Sequence, residues 1–171
     1  MLPKSYLGAL IAIFVIALIK FKKWLALFFL LIIATLIIVL PGGWPGSNWA
    51  VANCNIGQGD GLVINLGKNE ALVIDVGPDA KLMDECLKDL AVKKIPLLVI
   101  SHFHADHVHG LDGALLGRDI ANVWVSNLDQ PKSDRDTAYL LLGATPIHQA
   151  TAGETIEFKS AKGPVKIEVL W

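Results

Sequence analysis

Apolar residues are concentrated in two long runs at the start of the chain. Residues 6–19 (YLGALIAIFVIALI) and 25–40 (LALFFLLIIATLIIVL) are almost wholly apolar, and the segment KFKKW separates them. A helix needs about 20 apolar residues to cross a bilayer core, with about 17 as the lower limit. The second run reaches that length with Trp24 as an interfacial residue, whereas the first needs its flanks. The pattern predicts one or two transmembrane helices in residues 1–40, arranged as a hairpin with the lysines at its turn.

The lysines between the runs also predict an orientation. Basic residues favour the cytoplasmic side, which places the chain after Pro41 outside whenever the second run spans. If only the first run spans the membrane, the chain after Pro41 stays on the cytoplasmic side. One unbroken helix is disfavoured because lysines near mid-membrane cost about 2.5–3.5 kcal/mol each. A secretory signal peptide is the other alternative, since Ala50-Val51-Ala52 resembles a cleavage site, but the apolar stretch is too long and is interrupted by lysines.

After a turn-rich linker at 41–49, residues 50–171 have the mixed pattern of a globular domain. Period-two alternation predicts strands and 3.6-residue spacing predicts helices. The predicted strands are 49–54, 62–66, 70–77, 95–101, 122–127, 154–158 and 165–171, and the predicted helices are 80–92, a short one within 108–117, and 133–144. This order indicates an α/β domain with a central sheet. Because the sequence stops on a strand, we expect the domain to be incomplete at its carboxyl end.

Charge and cysteine content narrow the function classes. All 16 acidic residues but only 11 of the 15 basic residues follow Pro41, so this part has a formal charge of −5. A domain that binds nucleic acid through bulk positive charge is therefore excluded, and any DNA contact needs a local site or a partner. Cys54 and Cys86 form no CxxC pair. The favoured interpretation is two buried small apolar residues, with one disulfide as the alternative in an oxidising space.

Histidine is concentrated in one segment, since four of the five lie in SHFHADHVHG, residues 101–110. The segment follows a continuous apolar run typical of a buried strand, and α/β sheets place ligand sites at the carboxyl ends of such strands. His102 and His104 share one side of an extended segment, and Asp106 and His107 project from the next turn. Imidazole and carboxylate donors without thiolate suit Zn, Mn or Fe. A loop of solvated histidines is the alternative.

HFHADH matches the HxHxDH signature of the metallo-β-lactamase fold. The resemblance implies an αββα sandwich and two divalent metal ions, Zn or Mn. It implies that His102 and His104 bind the first ion and that Asp106 and His107 bind the second and serve catalysis. The upstream VIDVG resembles the family's aspartate-bearing strand end, which implies that Asp75 supports the ligand loop by hydrogen bonding.

NIGQGDGLVI, residues 55–64, followed by LVIDVG and HFHADH, resembles the extracellular domain of ComEC-type competence proteins, which are multi-pass DNA-uptake channels of the cell membrane. The resemblance implies a nuclease on the extracytoplasmic side that hydrolyses the non-transported strand of incoming DNA, with other uptake proteins as partners. It gives Asp60 a supporting role. Asn55 and Ile56 depart from the family's usual Asp-Val. Further metal ligands of the family would lie beyond Trp171, so we expect a fragment or a truncated product.

Two other functions stay open. The same fold serves hydrolases of esters, thioesters and lactams, and a truncated chain could be an inactive remnant. His109 is favoured as an exposed loop residue over an extra ligand, and nothing places His148 near the cluster. Lys68 and Arg118 are loop cations to which we assign no phosphate contact.

Overall fold

The chain divides into two compact units between Gly43 and Trp44. The computed structural model describes residues 4–39, 45–46 and 48–170. The first unit consists of one helix, α1 (Lys4–Val39).

The predicted hairpin turn at the lysine segment is not formed, because α1 continues through it. The segment contains neither glycine nor proline, and lysine is a good helix former, so nothing local interrupts the backbone hydrogen bonds. Lys20, Lys22 and Lys23 are exposed on the helix. Among the described residues, no helix is at once long enough and apolar enough to cross a membrane.

The second unit combines sheets with short helices. Its strands are β1 (Val51–Asn53), β2 (Leu62–Gly67), β3 (Glu70–Ile74), β4 (Lys94–Ile95), β5 (Leu98–Ile100), β6 (Asp119–Ile120), β7 (Val123–Val125), β8 (Ile147–Gln149), β9 (Thr155–Ser160) and β10 (Gly163–Glu168). Its helices are α2 (Ala80–Asp89), α3 (Ala105–Val108), α4 (Leu111–Leu115) and α5 (Lys132–Leu142).

The main sheet has the order β1-β2-β3-β5-β7-β8, with β4 and β6 paired beside this path. β1, β2 and β3 are antiparallel neighbours, whereas β3, β5, β7 and β8 run parallel. The carboxyl ends of parallel strands meet at one edge of a sheet. The residues that follow β3 and β5 are therefore brought together there.

Apolar side chains cover both faces of the main sheet. On one face the helices contribute buried residues such as Met83, Leu87 and Leu111. On the other face, Leu72 and Leu97 pack with the β9–β10 hairpin. The mixed α/β class is confirmed. Of the predicted αββα layers, the described residues provide one helical layer and two sheet layers.

Several elements differ from the prediction, and two of the differences lie beside a proline. The run 95–101 divides into β4 and β5 because Pro96 has no N–H for the ladder. α5 begins at Lys132 after Pro131, one residue before the predicted cap at Ser133 or Asp134. β6 and β8, with two and three residues, were not predicted.

Cys54 and Cys86 form a disulfide, so the favoured interpretation of two independent apolar cysteines is wrong. Cys54 follows β1, Cys86 lies on α2, and both are buried in the same core. The packing of that helix on the sheet brings the Cα atoms to 5.8 Å, a separation that a disulfide spans. The bridge connects the start of loop 55–61 to α2.

A buried ion pair joins α2 to the segment after α4. The Arg118 guanidinium, 3% exposed, donates to Asp84 Oδ1 at 3.0 Å and to the carbonyls of Val92 and Gly113. Lys88 Nζ lies 2.6 Å from Asp84 Oδ2, and together with Arg118 it lowers the pKa of Asp84 below the ordinary value of 3.8. The predicted loop cation Arg118 is thus committed to a structural pair.

We expect Asp84→Asn to reduce the free energy of unfolding by about 3 kcal/mol, because it leaves the Arg118 charge buried without its counter-ion. Chemical denaturation at neutral pH measures this. Since the pKa of Asp84 is lowered on folding, the difference from the parent chain is full above pH 3.8 and disappears as the pH falls through the folded value.

The matched control is Glu85→Gln, on the same helix. Glu85 faces Lys81 at 3.8 Å with both side chains exposed, so its loss should change stability little. Equal effects of the two substitutions would show that the Arg118 pair does not stabilise the fold.

Candidate metal centre

The histidine segment is held against the end of β3 by backbone hydrogen bonds. Asp75 N–H donates to Val99 C=O at 2.8 Å, and Val76 N–H donates to His107 C=O at 2.9 Å. Because the backbone of His107 is fixed in this way, α3 is held at the carboxyl edge of the sheet. The candidate ligands are thus positioned by two neighbouring strands of the sheet, β3 and β5, rather than by a free loop.

His102, Asp106 and His107 form the compact group of the centre. Each offers one ligand atom, and these atoms lie within 4.8 Å of one another. The rings of His102 and His107 have centroids 3.9 Å apart, and His107 Nε2 lies 3.5 Å from Asp106 Oδ2. Two imidazoles and a carboxylate at this spacing suit a divalent cation.

His104 lies beside this group but outside it. Its ring centroid is 4.8 Å from that of His102, and its side chain is exposed. The family resemblance implies that His102 and His104 bind one ion and that Asp106 and His107 bind the other. In the structure the ligand atom of His102 also lies within 4.8 Å of those of Asp106 and His107, so the two proposed pairs are neighbours.

Asp75 is the buried anchor of the centre, 4% exposed. It accepts hydrogen bonds from the Ser101 N–H at 2.8 Å and the Ser101 hydroxyl at 2.6 Å, and it lies 2.9 Å from His107 Nδ1. Its backbone has φ 55°, in the left-handed region that costs energy for any residue with a Cβ. This bond to Nδ1 directs the other ring nitrogen of His107 toward the cation site.

Ser101 was not predicted to take part. Its Oγ lies 3.0 Å from His102 Nδ1 as well as against Asp75. The signal in the sequence was its position, as a polar residue between a buried strand and the first ligand. With both Nδ1 atoms engaged, the Nε2 atoms of His102 and His107 are available, and the donor set fits a divalent metal ion.

Electrostatics favour neutral imidazole at His102. Burial lowers the pKa of His102 below its ordinary value of 6.5, and the neighbouring His107 and His104 lower it further. Only the neutral ring has a lone pair to donate to a cation.

Asp60, on loop 55–61, lies at the exposed side of the centre. Its Oδ2 is 3.9 Å from His107 Nδ1 with 72% of its side chain exposed, and Asp60, Asp75 and His107 form a second group of convergent ligand atoms. The loop approaches closely at Gly59, where a Cβ would lie 2.0 Å from the Asp106 carbonyl oxygen. Glycine is therefore required for the loop to lie against α3.

The remaining candidates lie elsewhere in the unit. His109 Nε2 lies 3.3 Å from Asp134 Oδ2 and is half exposed. His148 lies 2.5 Å from Glu154, and hydrogen bonds from Thr151 and His148 lower the pKa of Glu154. Lys68 is exposed in the β2–β3 turn.

A model of the Metallo-beta-lactamase superfamily matches residues 55–162. No curated protein matches the chain. Similar solved structures include a metallo-beta-lactamase from Hirschia baltica, with 19% identity and TM-score 0.37, covering 64% of this chain and 57% of that one.

A second similar structure is TMB-1, with 16% identity and a TM-score of 0.38, covering 66% of this chain and 50% of that one. A third is the metallo-beta-lactamase FIM-1 from Pseudomonas aeruginosa in its mono-zinc form, with 18% identity and a TM-score of 0.35, covering 63% of this chain and 53% of that one. The chain spans about half the length of these proteins.

We expect Gly59→Ala to weaken divalent metal binding by about 10-fold, because its Cβ would displace the Asp106 backbone and with it the carboxylate. Competition with a chromogenic chelator measures the affinity for zinc. Gly57→Ala is the matched control, since Gly57 also has a positive φ, of 87°, but its Cβ would meet nothing within 4 Å. If both variants bind zinc equally, contact with α3 is not the reason for glycine at position 59.

Proposed function

Because the chain belongs to the metallo-beta-lactamase superfamily, we propose that its second unit is the metal-dependent phosphodiesterase domain of a ComEC-type competence protein. The substrate is DNA, namely the strand of an incoming duplex that is not transported. Other DNA-uptake proteins are its proposed partners.

The observation that carries this proposal is the position of the loop NIGQGDG. This loop distinguishes the competence resemblance from the rest of the superfamily, and it lies against the candidate ligands. Gly59 contacts the backbone of Asp106, and Asp60 faces His107 at the exposed side. The loop that carries the competence resemblance is thus a direct neighbour of Asp106 and His107.

His102, His104, Asp106 and His107 would hold two divalent ions, Zn or Mn. Bound there, the ions supply an activated water and neutralise the scissile phosphate. Asp106, whose side chain is 46% exposed, has a carboxylate oxygen free to accept a hydrogen bond from the attacking water. Asp75 keeps the His107 ring in place while charge develops.

We further propose that α1 anchors the chain in the cell membrane and that the second unit lies on the extracytoplasmic side. α1 exposes large apolar side chains along most of its length, from Ile11 to Ile33. The Cys54–Cys86 disulfide supports the same side, because disulfides persist in oxidising compartments.

We expect the full chain, loaded with zinc or manganese, to degrade labelled duplex DNA and to lose at least about 100-fold of that rate on His102→Ala or His107→Ala. Gel analysis of the products and metal content are measured on the same samples. His109→Ala is the matched control, since this histidine lies in the same segment but pairs with Asp134.

The same preparations are assayed with a chromogenic lactam and a thioester. Turnover of either, without DNA cleavage, would replace the nuclease by another hydrolase of the superfamily. Absence of both metal and turnover would identify an inactive remnant.

We expect both cysteines to resist alkylation in intact cells until a reductant is added, because they are paired in an oxidising space. Alkylation with a membrane-permeant maleimide, followed by mass measurement of the denatured chain, tests this. Cys54→Ala provides the control, since it leaves Cys86 as a free thiol. Labelling of the parent chain without reductant would contradict the extracytoplasmic placement.

A further inference from the structure

Ser101 makes more contacts than its place at a strand end requires. Its N–H already donates to Asp75 Oδ1 at 2.8 Å, which attaches the end of β5 to the end of β3. The hydroxyl adds a second connection, 2.6 Å to Asp75 Oδ2, and lies 3.0 Å from His102 Nδ1.

The protons of this chain of contacts have one consistent arrangement. A hydroxyl has one proton to donate, and the Asp75 carboxylate only accepts, so the Ser101 proton goes to Asp75. Ser101 Oγ must then accept the hydrogen bond from His102, which requires the proton of that ring on Nδ1. The Nε2 lone pair of His102 is left free.

Asp75 fixes the His107 ring in the same way but directly, at 2.9 Å from Nδ1. One buried carboxylate thus sets the orientation of two rings, and it reaches the second only through the serine hydroxyl. By the family resemblance, these two rings belong to different metal ions.

Ser126 shows what a serine does here without such a role. It follows β7 as Ser101 follows β5, and the two strands are parallel neighbours. Its Oγ accepts a hydrogen bond from the nearby Leu128 N–H at 3.1 Å. The hydroxyl of Ser126 therefore closes a local turn.

We propose that Ser101 is a positioning residue that holds His102 as the Nδ1–H tautomer and makes both halves of the metal centre depend on Asp75. The proposal deepens the proposed metal centre and rests on it. A hydrogen-bonded support of this kind is worth about 10–100-fold in metal affinity.

The test uses the full chain with ¹⁵N-labelled histidine. Long-range ¹H–¹⁵N spectra of the metal-free chain distinguish the two tautomers, and zinc affinity is measured by chelator competition. In the parent chain, we expect His102 and His107 both to carry the proton on Nδ1.

Ser101→Ala should shift His102 toward the Nε2–H form, leave His107 unchanged and weaken zinc binding about 10–100-fold. The backbone bond to Asp75 survives this substitution, so the fold should persist, and the amide spectrum checks it. Ser101→Thr, which keeps a hydroxyl, should restore both readouts. Asp75→Asn should change the tautomer populations of both His102 and His107. Ser126→Ala should change neither.

An Nε2–H tautomer of His102 in the parent chain would overturn the proposal, whatever the variants do. So would a Ser101→Ala variant with unchanged zinc affinity. Neither readout involves DNA, so loss of the nuclease proposal alone would leave this inference standing.

Discussion

The buried carboxylate of Asp75 is the interaction on which the centre depends. An ionised group removed from water is tolerated only when it is fully hydrogen-bonded. Asp75 meets this condition with donors from the neighbouring strand end and from α3. Removing any of these donors would leave charge unsatisfied at the edge of the sheet. The geometry of the centre therefore depends on the stability of the sheet. The left-handed backbone conformation of Asp75 persists because its hydrogen bonds offset the strain energy of that conformation.

Close backbone packing completes this arrangement. A Cβ at Gly110 would lie 2.0 Å from the Val76 carbonyl oxygen, and one at Gly113 would lie 1.9 Å from that of Ala80. The junction of α3 and α4 can therefore approach the segment after β3, and α4 can approach the start of α2, only with glycine at these positions. The Gly110 N–H donates to the Gly77 carbonyl at 2.7 Å, which a more distant helix could not do. Ligand placement thus follows from backbone contact as well as from side-chain hydrogen bonds.

The sequence predicted what depends on local pattern and missed what depends on distant partners. Strands β2 and β3 follow from alternation around a tight turn, and α2 follows from its apolar spacing. β8 has only three residues and is partly exposed, so it had no pattern to reveal it. The disulfide joins residues 32 apart, and no spacing rule predicts such a pair. α1 was predicted as two helices because the cost of lysine in a bilayer was weighed above continuous helix propensity.

The candidate site likewise has features that the local sequence predicts and features that depend on distant residues. The HxHxDH order gave the ligand types, since the motif carries them within six residues. It could not give the 3.9 Å separation between the ring centroids of His102 and His107, because that distance depends on how α3 follows β5. Nor could it give Ser101, whose role depends on Asp75, 26 residues earlier in the chain. Contacts between strand ends exist only once the sheet has formed.

The charge of the candidate site bears on the proposed phosphodiester substrate. Asp60 and Asp75 converge on His107 from two elements, and Asp106 lies 3.5 Å from the same ring. Burial and the neighbouring His107 and His104 lower the pKa of His102, which disfavours a compensating positive charge on this ring. Within a domain of formal charge −5, such a group of carboxylates repels a phosphodiester. The two divalent ions proposed above would together carry more positive charge than these three carboxylates carry negative charge, so binding of the proposed substrate would depend on metal loading.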